Sequence, residues 1–334
     1  MKSRLRSIMR AVFMLIYIYS GGASLCQAGM VTITFDDGLI GTYKYAFPIL
    51  RQHSQEATIA VIYSRLTEKN DDYMTTEQVL ELQKNGWEVA SHSLTHKRPN
   101  DIPKYYSDEP IDGWRVDNKK KYTFQANYEY PFIACLLEDG GLDLKEVNTI
   151  DEVAATPASF YFDRIIEELH VHPHHPVKDP KKLNIRAGSY QREMDFSRLE
   201  LEKLGFKITS FITPHNQWSA DLREVSKNYY SCVATGLESD NPRGTFDAHF
   251  IKRFVVYKDS TVNSLIRLVK ETAVKNDTWV VFCFHGVGDD IGWEPWSVEK
   301  LEKFCAWLQE QKIKVVTLAE GAALMKASHN GPSK

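Results

Sequence analysis

The hydrophobic pattern changes period several times along this chain. Residues 31–35, Val-Thr-Ile-Thr-Phe, alternate apolar and polar positions, as a half-buried strand does. Residues 42–51 read as a helix and residues 57–63 as a second apolar strand. Residues 75–85 read as a helix, with Thr75 and Thr76 as cap candidates and Gly86 as its stop; residues 87–91 form a third strand. A β-α-β-α-β opening predicts a parallel sheet or barrel. From Lys97 to about Pro157 the rhythm breaks into polar, turn-rich sequence holding Tyr105, Trp114, Tyr122 and Tyr128. A loop insertion is expected over 97–157, with local structure of its own, since structureless loops of that length are uncommon. Residues 159–169 are expected to resume as helix, 170–182 to be irregular, 192–204 to be helical, and 206–212 and 229–234 to be strands. The last third is regular: an amphipathic helix over 260–275, an apolar strand over 278–284, a helix over 298–311 and a closing strand over 313–318. No stretch reads as an interdomain linker, so one elaborated α/β domain is expected.

Composition adds boundaries. Of 334 residues, 43% are hydrophobic and 25% charged, ordinary values for a chain with a real core. A net charge of −3 gives no electrostatic reason to expect a nucleic-acid partner. Lys2, Arg4, Arg6 and Arg10 precede a short apolar run over 11–19, and small residues follow up to Cys26-Gln27-Ala28. That is the layout of a signal peptide, predicted over 1–28, with 29–334 as the mature chain. The run is about half of the ~20 residues a membrane span needs, so no stable span is expected after cleavage, and the protein is expected to be secreted or periplasmic. Cys135, Cys232, Cys283 and Cys305 would remain. Export permits disulfides, but spacing does not reveal pairing. Cys283 and Cys305 fall in an apolar strand and an apolar helix face, where buried free thiols are expected.

Three short segments share a place in this scheme. Phe35-Asp36-Asp37-Gly38 follows the first strand, His92-Ser93-Leu94-Thr95-His96 the third, and His285-Gly286 the strand ending Phe282-Cys283-Phe284. Parallel α/β architectures build active sites where the carboxyl ends of the strands gather. One carboxylate and two imidazoles make a three-ligand metal site with room for water and substrate. Such a metal polarises a carbonyl and lowers the pKa of a bound water. Of the adjacent aspartates, one is then a ligand and the other is free to take a proton. His285 is placed to protonate a leaving group. Taken singly, each piece has a plainer reading: a turn, a chance histidine pair, a hydrogen-bonded core histidine.

Thr34-Phe35-Asp36-Asp37-Gly38 and His92-Ser93-Leu94-Thr95-His96 resemble the first two signature motifs of the polysaccharide deacetylases, the NodB-homology domain of carbohydrate esterase family four. Cys283-Phe284-His285-Gly286 resembles that family's last motif. The resemblance runs from about Met30 to Lys326 and is poor from Lys97 to about Arg192. It implies a distorted (β/α) barrel and removal of acetyl groups from sugars of an acetylated polysaccharide. It implies Asp36 as catalytic base, Asp37, His92 and His96 as ligands of Zn2+ or another divalent metal, and His285 as general acid. The family's Arg-x-Pro-Tyr-like segment, whose arginine braces the base, corresponds here to residues 211–218, Phe-Ile-Thr-Pro-His-Asn-Gln-Trp, which hold no arginine. The amide of His215 or Asn216 is the oxyanion candidate, and Arg253 the candidate for the missing charge. Trp218, Trp293 and Trp296 follow active-site strands and are candidates for the cleft. The run His170-Val-His-Pro-His174-His175 reads as a solvent-facing loop that meets metals incidentally. An N-acetylated glycan is the leading expected substrate. The alternatives are O-acetyl ester hydrolysis, or a secreted carbohydrate-binding protein without catalysis.

Overall fold

The computed structural model describes residues 29–329 except 69, 99–109, 119, 121, 129–132, 134–135, 139–141, 188–189 and 289–290. The signal-peptide expectation for 1–28 and residue Cys135 therefore lie outside the described residues. Among the described residues fourteen strands occur in chain order. They are β1 Met30–Phe35, β2 Thr58–Val61, β3 Glu88–Ser91, β4 Arg115–Val116, β5 Phe124–Asn127, β6 Leu136–Glu138 and β7 Leu142–Glu146, followed by β8 Ser159–Asp163, β9 Glu168–His172, β10 Arg186–Ala187, β11 Ser210–Ile212, β12 Cys232–Ala234, β13 Phe254–Val255 and β14 Trp279–Phe284.

Seven of them form a parallel sheet in the order β12-β11-β3-β2-β1-β14-β13. Its inner strands β1, β2 and β14 are buried along their whole length, as strands covered on both faces must be. The residues before β13 close the curl. Ile251 bridges β12 at Ala234, and three residues later Phe254 pairs with Phe282 of β14. This short crossing joins the two edges of the sheet into the expected distorted barrel. The closing strand expected over 313–318 is reduced to a single parallel bridge, Val31 to Val315.

Helices cover the barrel as the apolar periodicity requires. Thr75 caps Thr76–Lys84 through a reciprocal pair with Gln78. Val298–Glu310 turns Leu301, Phe304, Cys305 and Leu308 onto the sheet. Tyr190–Lys203 packs beside β3, with Ser197 Oγ 2.5 Å from Ser91 Oγ. Among the described residues no helix is long and apolar enough to cross a membrane.

The other seven strands form a second sheet, β10-β6-β7-β8-β9-β5-β4, antiparallel except where β7 meets β8. It has its own core of Phe124, Leu136, Leu144, Phe160, Leu169, Val171 and Ile185. Two expectations change here. The insertion expected over 97–157 continues to β10 at Ala187, because β8, β9 and β10 complete its sheet. The helix expected over 159–169 is instead the β8–β9 hairpin. Phe162, Ile165, Ile166 and Leu169 satisfy helical spacing, but Ile165 and Ile166 are 93% and 61% exposed at the hairpin tip. The buried residues of β8, Phe160 and Phe162, follow the two-residue period instead.

Candidate active site

β1 and β14 lie in register, Phe35 opposite Phe284, and the Asp36 amide donates to the Phe284 carbonyl at 2.8 Å. That pairing sets Asp36 beside His285 although 249 residues separate them in the chain. β3 ends at Ser91, and the His92 amide donates to the Val61 carbonyl of β2. All three motifs therefore meet at the carboxyl edge of the parallel sheet.

Asp37 leaves β1 with φ at 72°, a left-handed conformation uncommon outside glycine. Its Oδ1 lies 3.4 Å from His92 Nε2 and 3.2 Å from His96 Nε2. Ser93 and His96 are also left-handed, at φ 68° and 63°. Such residues cost of order 1–3 kcal/mol each and persist only where the surroundings fix them. The fixing group is Glu193, fully buried on the helix Tyr190–Lys203. Its carboxylate accepts the Leu94 and Thr95 amides, both at 3.0 Å, and the Thr95 hydroxyl at 2.7 Å. No sequence signal marks it, because a carboxylate on an amphipathic helix reads as a solvated face.

These residues fit a divalent cation. The ligand-type atoms of Asp37, His92 and His96 lie within 4.8 Å of one another. His92 Nδ1 is taken by the Ile212 carbonyl at 2.8 Å, which fixes the ring and aims Nε2 inward. Asp37 Oδ1 is buried with no hydrogen-bond partner, the state of a lone pair aimed at something other than a proton. Burial raises the Asp37 carboxyl, but His92 outweighs it and the pKa falls below the usual range. Burial and the charge of His92 push His96 down to about 3, while the carboxylates of Asp37 and Asp36 overcome burial and raise His92 above its ordinary value. A second trio, Asp36, Cys283 and His285, is equally close but unsuited to an ion. Both Asp36 oxygens are bound by Arg253, and burial holds the Cys283 thiol well above its ordinary pKa, protonated and donating to Asp36 Oδ2 at 3.5 Å.

Arg253 sits in the crossing that closes the barrel and is completely buried. Its Nη1 and Nη2 donate to Asp36 Oδ1 and Oδ2 at 2.8 and 2.9 Å. The remaining donors reach Thr34 Oγ1 (2.9 Å), Asn216 Oδ1 (2.6 Å) and the Thr235 carbonyl (3.1 Å), which uses the whole guanidinium. Burial alone would raise the Asp36 carboxyl; Arg253, with His92 and His285, reverses this and holds it well below the usual carboxylate range. Asp36 therefore stays ionised. The guanidinium thus comes from the residue before β13 and not from the 211–218 segment, which holds no arginine.

The site opens into a cavity of about 570 Å³ lined by Asp36, Asp37, His92, His96, Arg98, His215, Asn216, Gln217, His285 and Trp293. His285 Nδ1 is buried without a hydrogen-bond partner, and burial lowers its pKa. His215 and Asn216 lie on one wall, both left-handed at φ 54° and 57°. The Asn216 amide is committed to the Thr213 carbonyl at 3.2 Å, which narrows the oxyanion candidate to the His215 amide. Trp218 does not line the cavity: its ring packs on Phe250 at 4.2 Å and its Nε1 donates to the His249 carbonyl. Trp296 is core, 1% exposed, with Nε1 on the Ser260 carbonyl. Only Trp293 of the three reaches the cleft. Arg98, also on the cavity wall, escaped the sequence reading because it belongs to no motif, and Gln217 lies in the 211–218 segment without having been singled out. The histidine run is not a solvent loop either. His170 is buried in β9, and His174 Nδ1 bonds Glu138 Oε2 at 2.8 Å.

An acid and two imidazoles thus face one another beside an arginine-held carboxylate, on the carboxyl edge of a parallel barrel. Residues 26–115 match the family model for polysaccharide deacetylase. The chain is 29% identical over 102 residues to the putative polysaccharide deacetylase YxkH of Bacillus subtilis (strain 168). The match covers 30% of this chain and only 36% of that relative's length. Among solved structures it is similar to the Xyl-CE4 domain of a multidomain xylanase from the hindgut metagenome of Trinervitermes trinervoides. That likeness has 14% identity and a TM-score of 0.45, covering 92% of this chain and 94% of that one. It is also similar to a family 4 carbohydrate esterase from Streptomyces lividans, with 12% identity, a TM-score of 0.43, and 86% and 91% covered.

Proposed function

We propose that this chain is an exported, metal-dependent hydrolase that removes acetyl groups from an N-acetylated polysaccharide such as peptidoglycan, a chitin-like chain or an exopolysaccharide. One observation carries the reading. Asp37 Oδ1 is buried between His92 Nε2 and His96 Nε2 without a hydrogen bond, beside a second carboxylate that Arg253 keeps charged.

A divalent cation held by Asp37, His92 and His96, with Zn2+ the favoured ion, supplies a Lewis acid for the acetyl carbonyl and for water. Asp36 takes a proton from the attacking water; it is ionised at every physiological pH, and its orientation is set by two charge-assisted bonds. The His215 amide is the donor available to the carbonyl oxygen as it gains charge. His285, on the opposite strand, gives a proton to the departing nitrogen, so the C–N bond breaks into acetate and a free amine. Export rests on the signal-peptide layout of 1–28. Mass measurement of the protein recovered outside the cytoplasm should place its start at Gly29.

Acetate release measured across acetylated glycans, with and without chelator, tests the function. Release from an N-acetylated glycan, lost on chelation and restored by Zn2+, is expected. Release from O-acetylated xylan alone would make the enzyme an esterase. No release from any glycan by metal-loaded protein would overturn the reading.

A further inference from the structure

The second sheet is spliced into the chain between the His92–His96 loop and the helix Tyr190–Lys203, whose Glu193 holds that loop. It also touches the loop directly. Leu94 lies midway between the two imidazole residues and is 5% exposed. It packs on Leu137 of β6, itself 3% exposed, with Tyr63 and Phe196 against the pair. A strand sends successive side chains to opposite faces. β6 accordingly gives Leu136 to the core of its own sheet, with Leu144 and Ile185, and gives Leu137 to the barrel. Opposite Leu137 across its own sheet stand Asp143 of β7 and Arg186 of β10, both polar. Its apolar partner is the loop. A second tie runs from Lys97 Nζ, just past His96, to Glu146 Oε2 at the end of β7, at 2.8 Å.

The loop needs bracing from both sides. Ser93 and His96 are left-handed, and such conformations persist only where the surroundings fix them. Glu193 fixes the loop's amides, and Leu94 is its apolar anchor, seated in part on the inserted sheet. His92 has a separate tether, Nδ1 to the Ile212 carbonyl at 2.8 Å. The place of His96 Nε2, 3.2 Å from Asp37 Oδ1, therefore follows the shape of the loop.

We propose that Leu137 is a positioning residue for the candidate metal centre, and that through it the inserted sheet sets how tightly Asp37, His92 and His96 hold a divalent cation. The inference rests on the metal-dependent reading and deepens it: the cation site is built by the barrel and braced by the second sheet. A loop that loses the seat of Leu94 spends part of its time in shapes that carry His96 away from Asp37. Affinity then falls by the fraction of chains that keep the competent shape.

Competition titration of the full chain with Zn2+ against a fluorescent chelator, with urea midpoints measured alongside, is the test. Leu137→Ala is expected to weaken Zn2+ binding about tenfold. Leu136→Ala, one residue away and facing the other core, is expected to lower the urea midpoint at least as much yet keep Zn2+ affinity within about twofold of wild type. Leu137→Met keeps the side-chain volume and is expected to bring Zn2+ affinity back to within about twofold of wild type. Leu137→Val removes less volume and carries the same test should the alanine variant not fold, with a weakening of about threefold. Unchanged Zn2+ affinity in the folded Leu137 variants, or equal weakening in Leu136→Ala, overturns the positioning role. A wild-type chain that binds no Zn2+ overturns the metal-dependent reading and the inference with it. Zn2+ binding weakened in Leu137→Ala alone, without acetate release from any glycan, leaves the positioning role standing and removes the deacetylase.

Discussion

His92 and His96 stand at the edge of the parallel sheet, and His170, His172 and His174 on and just past β9 of the second sheet. In the first group, the inward nitrogens face a carboxylate oxygen that makes no hydrogen bond. In the second, His172 Nδ1 bonds the Val153 carbonyl at 3.0 Å and His174 Nδ1 bonds Glu138, while His170 lies in the sheet 3.5 Å from Glu168. Among the described residues, no trio of ligand-type groups gathers in the second sheet. In the denser run of histidines, the His172 and His174 rings are occupied locally, and the His170 ring nitrogens are buried without a hydrogen bond and without a second ligand-type pair beside them. A site needs ligands delivered from separate strands to one edge, and only a parallel sheet with its motifs after the strands delivers them.

Breaking the convergent group should have the largest effects. Asp36→Asn should retain metal, by metal analysis, while acetate release falls by about 10³-fold or more. His92→Ala and His96→Ala should each lose stoichiometric metal, whereas His172→Ala and His174→Ala should keep it; equal loss from both groups would erase the distinction. Arg253→Met should destabilise the fold by about 3 kcal/mol or more in urea titrations, because the Asp36 charge stays buried without its partner. The same pair sets an acid limit. The folded pKa of Asp36 is lowered from 3.8, so its stabilisation is present above that value and lost as pH falls below it. Urea midpoints followed from pH 5 downward should therefore fall less steeply in Arg253→Met than in the wild type. Glu193→Gln should weaken Zn2+ affinity about tenfold in a competition titration, since it frees the loop that carries His96. His174→Ala should change stability by no more than about 1 kcal/mol and leave metal content unchanged.

The contrast also explains what was legible. β1, β2, β3 and β14 are buried on both faces, so their apolar runs stand out, and each motif sits where its strand stops. The second sheet is built of short strands of two to five residues, and its charged and aromatic residues blur into loop. Ile165 and Ile166 even imitate a helix from a hairpin tip. Within the site, residues that touch the reacting atoms carry motif signals. Of the groups that position them, Glu193 carries no such signal, since it acts through a contact 99 residues distant that no local pattern encodes, whereas Cys283 stands inside a motif although its contact with Asp36 spans 247 residues.

The β1–β14 pairing also has a bearing on the order of synthesis. Asp37, His92 and His96 all leave the ribosome within the first hundred residues, and β1, β2 and β3 can pair as soon as they emerge. Arg253 and His285 come from the last quarter of the chain. A nascent or truncated chain ending before β13 thus holds the cation-gripping residues but neither the guanidinium for Asp36 nor the second proton carrier. On the proposed function, the residues that would hold a metal are thus synthesised before the residues that would use it.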